Sequence, residues 1–138
     1  MKVLIDTCVV IDFLQKREPF AQAAKQILQA AATEKFVGCI TAKAATDIYY
    51  LIRRSIHSEK ESRRKLTQLL SLVGILDICA EDVLHAISSA VSDFEDAVMV
   101  ETAIRLGISC IITRNIKDYK NAKVPVYDPE EFLKILKL

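Results

Sequence analysis

Five short apolar runs rich in Val and Ile punctuate this chain, and longer stretches of helical period fill the gaps. The runs are KVLID at 2–6, FVGCI at 36–40, ILDIC at 75–79, SCIIT at 109–113 and VPVYD at 124–128. Runs of this length and composition fit strands rather than helices. Parallel strands need a crossover of a dozen or more residues between them, and a helix supplies it. The pattern therefore restricts the chain to an α/β fold. We expect a three-layer α/β/α architecture, with helices on both faces of a mostly parallel central sheet of about five strands.

The intervening segments carry helix signals. Residues 10–16 read as a short helix ending before Pro19. Apolar residues at 20, 23, 24, 27, 28 and 31 recur with helical period, and Pro19 stands at the N1 position of that helix. Thr41 is expected to cap the helix AKAATDIYYLIRR, and another helix spans 59–72. A helix follows from 81 to about 91. Ser92-Asp93-Phe94-Glu95 fits a capping box opening a helix that runs to Leu106 and stops at Gly107. Asp128-Pro129-Glu130-Glu131 opens the last helix, and Pro125 puts the fifth strand at an edge.

The 138 residues, 51% hydrophobic and 27% charged, suit one domain over 1–138 with no linker. A net charge of +1 gives no global basic field. Basic residues instead crowd the middle of the chain, at Arg53, Arg54, Lys60, Arg63, Arg64 and Lys65. Cys8, Cys39, Cys79 and Cys110 are widely spaced in apolar sequence, far from His57 and His85. That spacing disfavours a zinc site and fits buried, reduced thiols. No apolar run has the length of a membrane span, and the N-terminus lacks a signal-peptide pattern. A cytoplasmic protein is expected.

The acids carry the chemical information. In an open α/β sheet, ligands bind beyond the C-terminal ends of the strands. Asp6 ends the first run between two apolar stretches, and Asn115 follows the fourth. Asp118 comes three residues later. Asp93 and Asp96 open the helix leading into the fourth strand, three apart and on one face. Asp47 lies about two turns into the helix after the second strand. Each also has an ordinary explanation. Asp93 and Asp96 suit a helix N-terminus, Asp47 can pair with Lys43, and Asp6 can bond a neighbouring loop. Asp12 is expected to face solvent, Asp77 sits inside the third strand without a role, and Asp128 is a cap. If the first and fourth strands are neighbours, Asp6 and Asn115 share one crevice. Carboxylates converging there would repel one another, and a hard divalent cation such as Mg²⁺ or Mn²⁺ relieves this. Such a site suits phosphodiester chemistry.

LIDTCVVIDFL, ITAKAATDIYYLIRR, SDFEDAVMVETAIRLGISCIITRNIKDY and VPVYDPEEFL, in that order, resemble PIN-domain ribonucleases, especially VapC-type toxins of toxin–antitoxin pairs. The resemblance implies a PIN-like fold and Mg²⁺- or Mn²⁺-dependent endonucleolytic cleavage of RNA. By position, Asp6 matches the first metal-binding acid and Asp96 the third. Asp47 stands where the family usually has Glu, and Asn115 where many members have a fourth Asp. Thr7 and Thr113 match small polar residues beside these acids, and Asp93 and Asp118 are further acids near the pocket. The resemblance implies that Asp6 and Asp96 ligate the main ion. Asp47 would hold a second ion or orient water, and Asn115 or Asp118 would position a bound water. Arg114 is a candidate phosphate contact, with Arg53 and Arg54 as further RNA-binding residues. An antitoxin partner and a homodimer are also implied, with residues 20–31 and 42–52 offered as a dimer surface. The shorter Asp47 and the uncharged Asn115 leave open a weakened domain that binds RNA or a protein without cutting.

Two other chemistries fail on the residues. A phosphatase of the haloacid dehalogenase type needs a second Asp where Cys8 stands. A phospho-receiver domain needs an Asp ending the third strand, which here ends in Ile78-Cys79.

Overall fold

A computed structural model describes residues 1–137. Its elements, in chain order, are β1 (Lys2–Ile5), α1 (Thr7–Leu14), α2 (Ala21–Ala32), β2 (Val37–Thr41), α3 (Ala42–Ile56), α4 (Glu59–Leu70), β3 (Gly74–Leu76), α5 (Ala80–Ile87), α6 (Phe94–Arg105), β4 (Cys110–Ile112), a 3₁₀ turn (Ile116–Tyr119), β5 (Val126–Tyr127) and α7 (Pro129–Ile135). The five strands form one sheet in the order β3-β2-β1-β4-β5, with every neighbouring pair parallel. The expected α/β/α fold is therefore present, and β5 is an edge strand.

Alternation along β1 divides the core. Val3 and Ile5 point to one face, where Ile40 and Ile112 join residues of α1, α2, α3 and α7. Leu4 points to the other, with Ile111 and the apolar side of α6. The central strand is thus buried on both faces, which explains why its sequence is a continuous apolar run.

The end signals are mostly used as expected. The Thr41 hydroxyl accepts from the Ala44 N–H at 3.1 Å, and Asp128 and Glu131 form a reciprocal capping box. Gly107 takes a positive φ of 65°, which lets the chain leave α6 toward β4.

Several boundaries differ from expectation. The first helix begins at Thr7, immediately after Asp6, rather than at 10. Pro19 lies outside α2, because the Arg17 carbonyl accepts from both Phe20 and Ala21 and forms a separate turn. β3 stops at Leu76, and Arg105 takes the Asp77 carbonyl at 2.6 Å, so Asp77 lies beyond the strand. α5 ends at Ile87. At the start of α6, Asp93 alone supplies the cap, while Glu95 faces Lys43 at 3.7 Å.

Cys39 and Cys110 are buried, Cys8 and Cys79 are half-buried, and all four are free thiols. The apolar positions offered for a dimer surface are occupied internally. Ile27, Leu28, Ile48 and Ile52 pack in the chain's own core, which leaves Phe20 and Tyr50 as the large exposed hydrophobics of those two segments. No described helix is long and apolar enough to cross a membrane.

Candidate active site

The strand order reverses between β1 and β4, with β2 and β3 laid down on one side and β5 on the other, and such a switch point opens a crevice at the C-terminal ends of the two strands. Ile5 pairs with Ile112, and the Asp6 N–H donates to the Ile112 carbonyl at 2.9 Å. Asp6 and Thr113 therefore emerge side by side.

Asp6 occupies the N-cap position of α1, yet its carboxylate makes no cap bond. Its Oδ2 instead accepts from the Thr113 hydroxyl at 2.8 Å and from the Tyr119 hydroxyl at 3.2 Å. Only 9% of Asp6 is exposed, and Thr113 is fully buried. A carboxylate that forgoes helix capping for two buried hydroxyls is held in a fixed direction. Thr113 Oγ1 in turn accepts from the Asn115 N–H at 3.0 Å and lies 3.7 Å from the Cys8 thiol.

Asp96 comes to the same crevice from α6. The Asp93 cap accepts the Asp96 N–H at 3.0 Å and fixes this first turn. The Asp96 carboxyl is pushed up to about 7 by burial, then by the negative charges of Asp6, Asp93 and Asp118, against a lowering contact from the Tyr119 hydroxyl. Asp96 thus lies within electrostatic reach of Asp6, Asp93 and Asp118. Burial and the Asp6 carboxylate push the Tyr119 phenol up as well, so it stays a hydrogen-bond donor.

The remaining candidates lie around this centre. Thr7 is half-buried at the start of α1, and Asn115 is exposed at the head of the 3₁₀ turn. Asp47 is half-exposed and held by Lys43 at 2.7 Å, the ordinary i,i+4 pairing. Lys43 also reaches toward Glu95, so it bridges α3 and α6 across the crevice rim. Asp47 is thus turned to Lys43. Arg53 and Arg54 occupy the last turn of α3, and Arg63 and Arg64 pair with Glu59 and Glu61 on α4.

Two further residues lie where the sequence did not place them. Tyr119 was legible only as part of the stretch IKDY. Asp12, expected at the surface, is 2% exposed and forms a bidentate pair with Arg114 at 2.7 and 3.1 Å. The signal was present: Asp12 is flanked by the buried Val9, Val10 and Ile11, on a helix with little polar face.

Asp6 and Asp96 form no ion pair among the described residues, unlike Asp12 and Asp82. Carboxylates gathered without a basic partner are the donor chemistry of a hard divalent cation. Among the described residues no three His, Cys, Asp or Glu side chains are arranged to hold a metal ion. An ion bound at this crevice would thus have two carboxylates at most and water for its other ligands, a mode that Mg²⁺ accepts.

An acid-lined crevice at the switch point of a parallel sheet is the class of site that the fold and geometry define. The sequence pattern of the PIN domain matches residues 2–117, and the chain belongs to the PIN domain family. Among curated proteins, none matches by sequence. Solved structures share the fold. VapBC2 from Rickettsia felis, bound to a promoter DNA fragment, is 18% identical with a TM-score of 0.70, covering 93% of this chain and 98% of that one. A toxin–antitoxin complex from Klebsiella pneumoniae is 23% identical, with a TM-score of 0.68 and coverage of 92% and 97%. VapC20 of Mycobacterium tuberculosis, a sarcin–ricin loop cleaving toxin, is 14% identical, with a TM-score of 0.63 and coverage of 89% and 98%.

Proposed function

We propose that this chain is a metal-dependent endoribonuclease and the toxin of a toxin–antitoxin pair. The observation that carries the reading is that Asp6 and Asp96 border one crevice without a basic partner, with Asp96 pushed up to about 7 by burial and then by its acidic neighbours. Family membership supports nuclease chemistry, and the likeness to toxins in complexes supports an antitoxin partner.

Asp6 and Asp96 are the residues that would hold Mg²⁺ or Mn²⁺. When bound, such an ion polarises the phosphate and lowers the pKa of a coordinated water. The chain's own groups do the positioning. Thr113 and Tyr119 orient Asp6 through their hydroxyls. Asp93 fixes the turn that presents Asp96. Asn115 and Asp118 border the crevice where the attacking water would stand, and Asp47 would hold a second ion or orient that water once released from Lys43. Arg53 and Arg54 supply positive charge for the RNA backbone. Thr7 lines the α1 side, and the protein acts in the cytoplasm.

A second reading, a weakened PIN domain that binds without cutting, is favoured by one observation: Asp47 is both shorter than the family's glutamate and engaged by Lys43. Incubating purified protein with RNA, with and without Mg²⁺ or Mn²⁺, separates the two. The nuclease reading expects fragments only with the metal, and a severe loss of cutting in Asp6→Asn or Asp96→Asn. RNA retention with no cutting at any metal concentration would establish the second reading instead.

A further inference from the structure

Asp12 and Arg114 are unexplained by the proposed chemistry. An ionised carboxylate buried on an apolar helix carries a desolvation penalty, and apolar residues of similar size often replace such pairs without loss of stability. What an apolar pair does not supply is a planar fork with fixed direction. Arg114 spends Nε and Nη2 on the two carboxylate oxygens of Asp12, and its guanidinium lies 4.3 Å over the Phe20 ring. Both supports trace back to Asp12. Its carbonyl accepts the Arg17 N–H at 3.0 Å, and the Arg17 carbonyl accepts the Phe20 N–H at 2.9 Å.

Arg114 stands between Thr113, which donates to Asp6, and Asn115, whose N–H donates to Thr113. Fixing the Arg114 side chain therefore fixes the turn on which the Asp6 partner sits. A hollow of about 270 Å³ beside the guanidinium is also lined by Asp128 and Glu130, so a phosphate approaching there meets two further acids.

We propose that Asp12 and Arg114 are positioning residues of the candidate nuclease site: their pair locks residues 113–115 against α1, and Arg114 is committed to the protein rather than to the RNA backbone. The inference rests on the nuclease reading for its catalytic consequence only.

The test compares Asp12→Asn, Arg114→Gln, the double variant and Arg114→Lys, well below their melting temperatures. Three quantities are measured: Mn²⁺ affinity by titration with the metal alone, kcat and KM on RNA, and hydrogen exchange of the Asn115 amide in metal-free protein. Each single change should lower Mn²⁺ affinity and kcat by about tenfold, as for other groups that orient metal ligands. KM should stay unchanged, and Asn115 should lose protection. The double variant should be no worse than either single one, because both remove the same lock. Arg114→Lys, which keeps the charge without the fork, should recover only part of the effect. Variants that melt earlier but keep wild-type Mn²⁺ affinity, kcat and Asn115 protection would overturn the proposal. So would an Arg114→Gln protein with raised KM and a shallower salt dependence of RNA binding beside an unaffected Asp12→Asn. Wild-type protein that neither binds Mn²⁺ nor cuts RNA defeats the nuclease reading. The Asn115 exchange then still decides whether the lock exists.

Discussion

Two aspartates, Asp82 and Asp96, lie on consecutive helices and meet opposite fates. Asp82 on α5 is buried, but everything around it is complementary. Arg105 approaches both oxygens at 2.8 and 2.9 Å, the Thr102 hydroxyl donates at 2.8 Å, and the Cys79 N–H at 3.1 Å. Its carboxyl is held down at about 2, chiefly by Arg105. Asp96 on α6 meets burial and three other acids, and is pushed up to about 7. The first arrangement satisfies the charge from within the chain. The second leaves it unsatisfied, and an unsatisfied cluster is a place where a ligand's charge has differential affinity. The difference separates a structural ion pair from a candidate binding site without reference to any relative.

That contrast makes specific predictions. The largest effect falls on cutting. Asp6→Asn and Asp96→Asn should each lower the cleavage rate by about 100-fold or more, measured as fragment release at saturating Mn²⁺. Calorimetry of metal-free Asp96→Asn should at the same time show a melting temperature about 3 °C above wild type, because one repelling charge is gone. A lower melting temperature would mean that Asp96 is a structural group like Asp82.

Asp82→Asn should do the reverse. It removes the buried charge that the exposed Arg105, the Thr102 hydroxyl and the Cys79 N–H all serve, so the urea midpoint should fall. Mn²⁺ affinity should be unchanged.

Acid should act on the same pair. The folded value of Asp82 lies below its unfolded one, so protonation favours the unfolded chain. Its contribution is complete above about pH 4 and is lost as pH falls toward 2. Asp82→Asn should flatten that part of the stability–pH curve.

The smallest expected change is Asp47→Glu. The longer side chain should preserve or raise activity, within about tenfold, if position 47 serves the crevice. Complete loss in a cleavage assay would count against that role.

The strands and their helices were legible because a sheet buried on both faces must be written in Val and Ile. β3 was drawn too long because its end is set by Arg105, a residue 28 positions away that captures the Asp77 carbonyl. Asp6 and Asp96 were legible as acids in odd places, and the local cap at Asp93 explained why Asp96 faces inward. Asp12 was not, because its burial depends on a partner 102 positions away in sequence. Strand order belongs to the same class: pairing β1 with β4 is decided by packing across the whole chain. Tyr119 required that order, since its hydroxyl reaches Asp6 only after β4 has been placed.

The bond from Tyr119 to Asp6 spans 113 positions. A ribosome adds roughly 5–20 residues each second. For several seconds, then, a growing chain carries Asp6 without the hydroxyls that orient it and, for most of that time, without the strand that walls its crevice. Synthesis itself delays the appearance of a completed centre, and the last pieces to arrive, Thr113 and Tyr119, are the ones that aim the first.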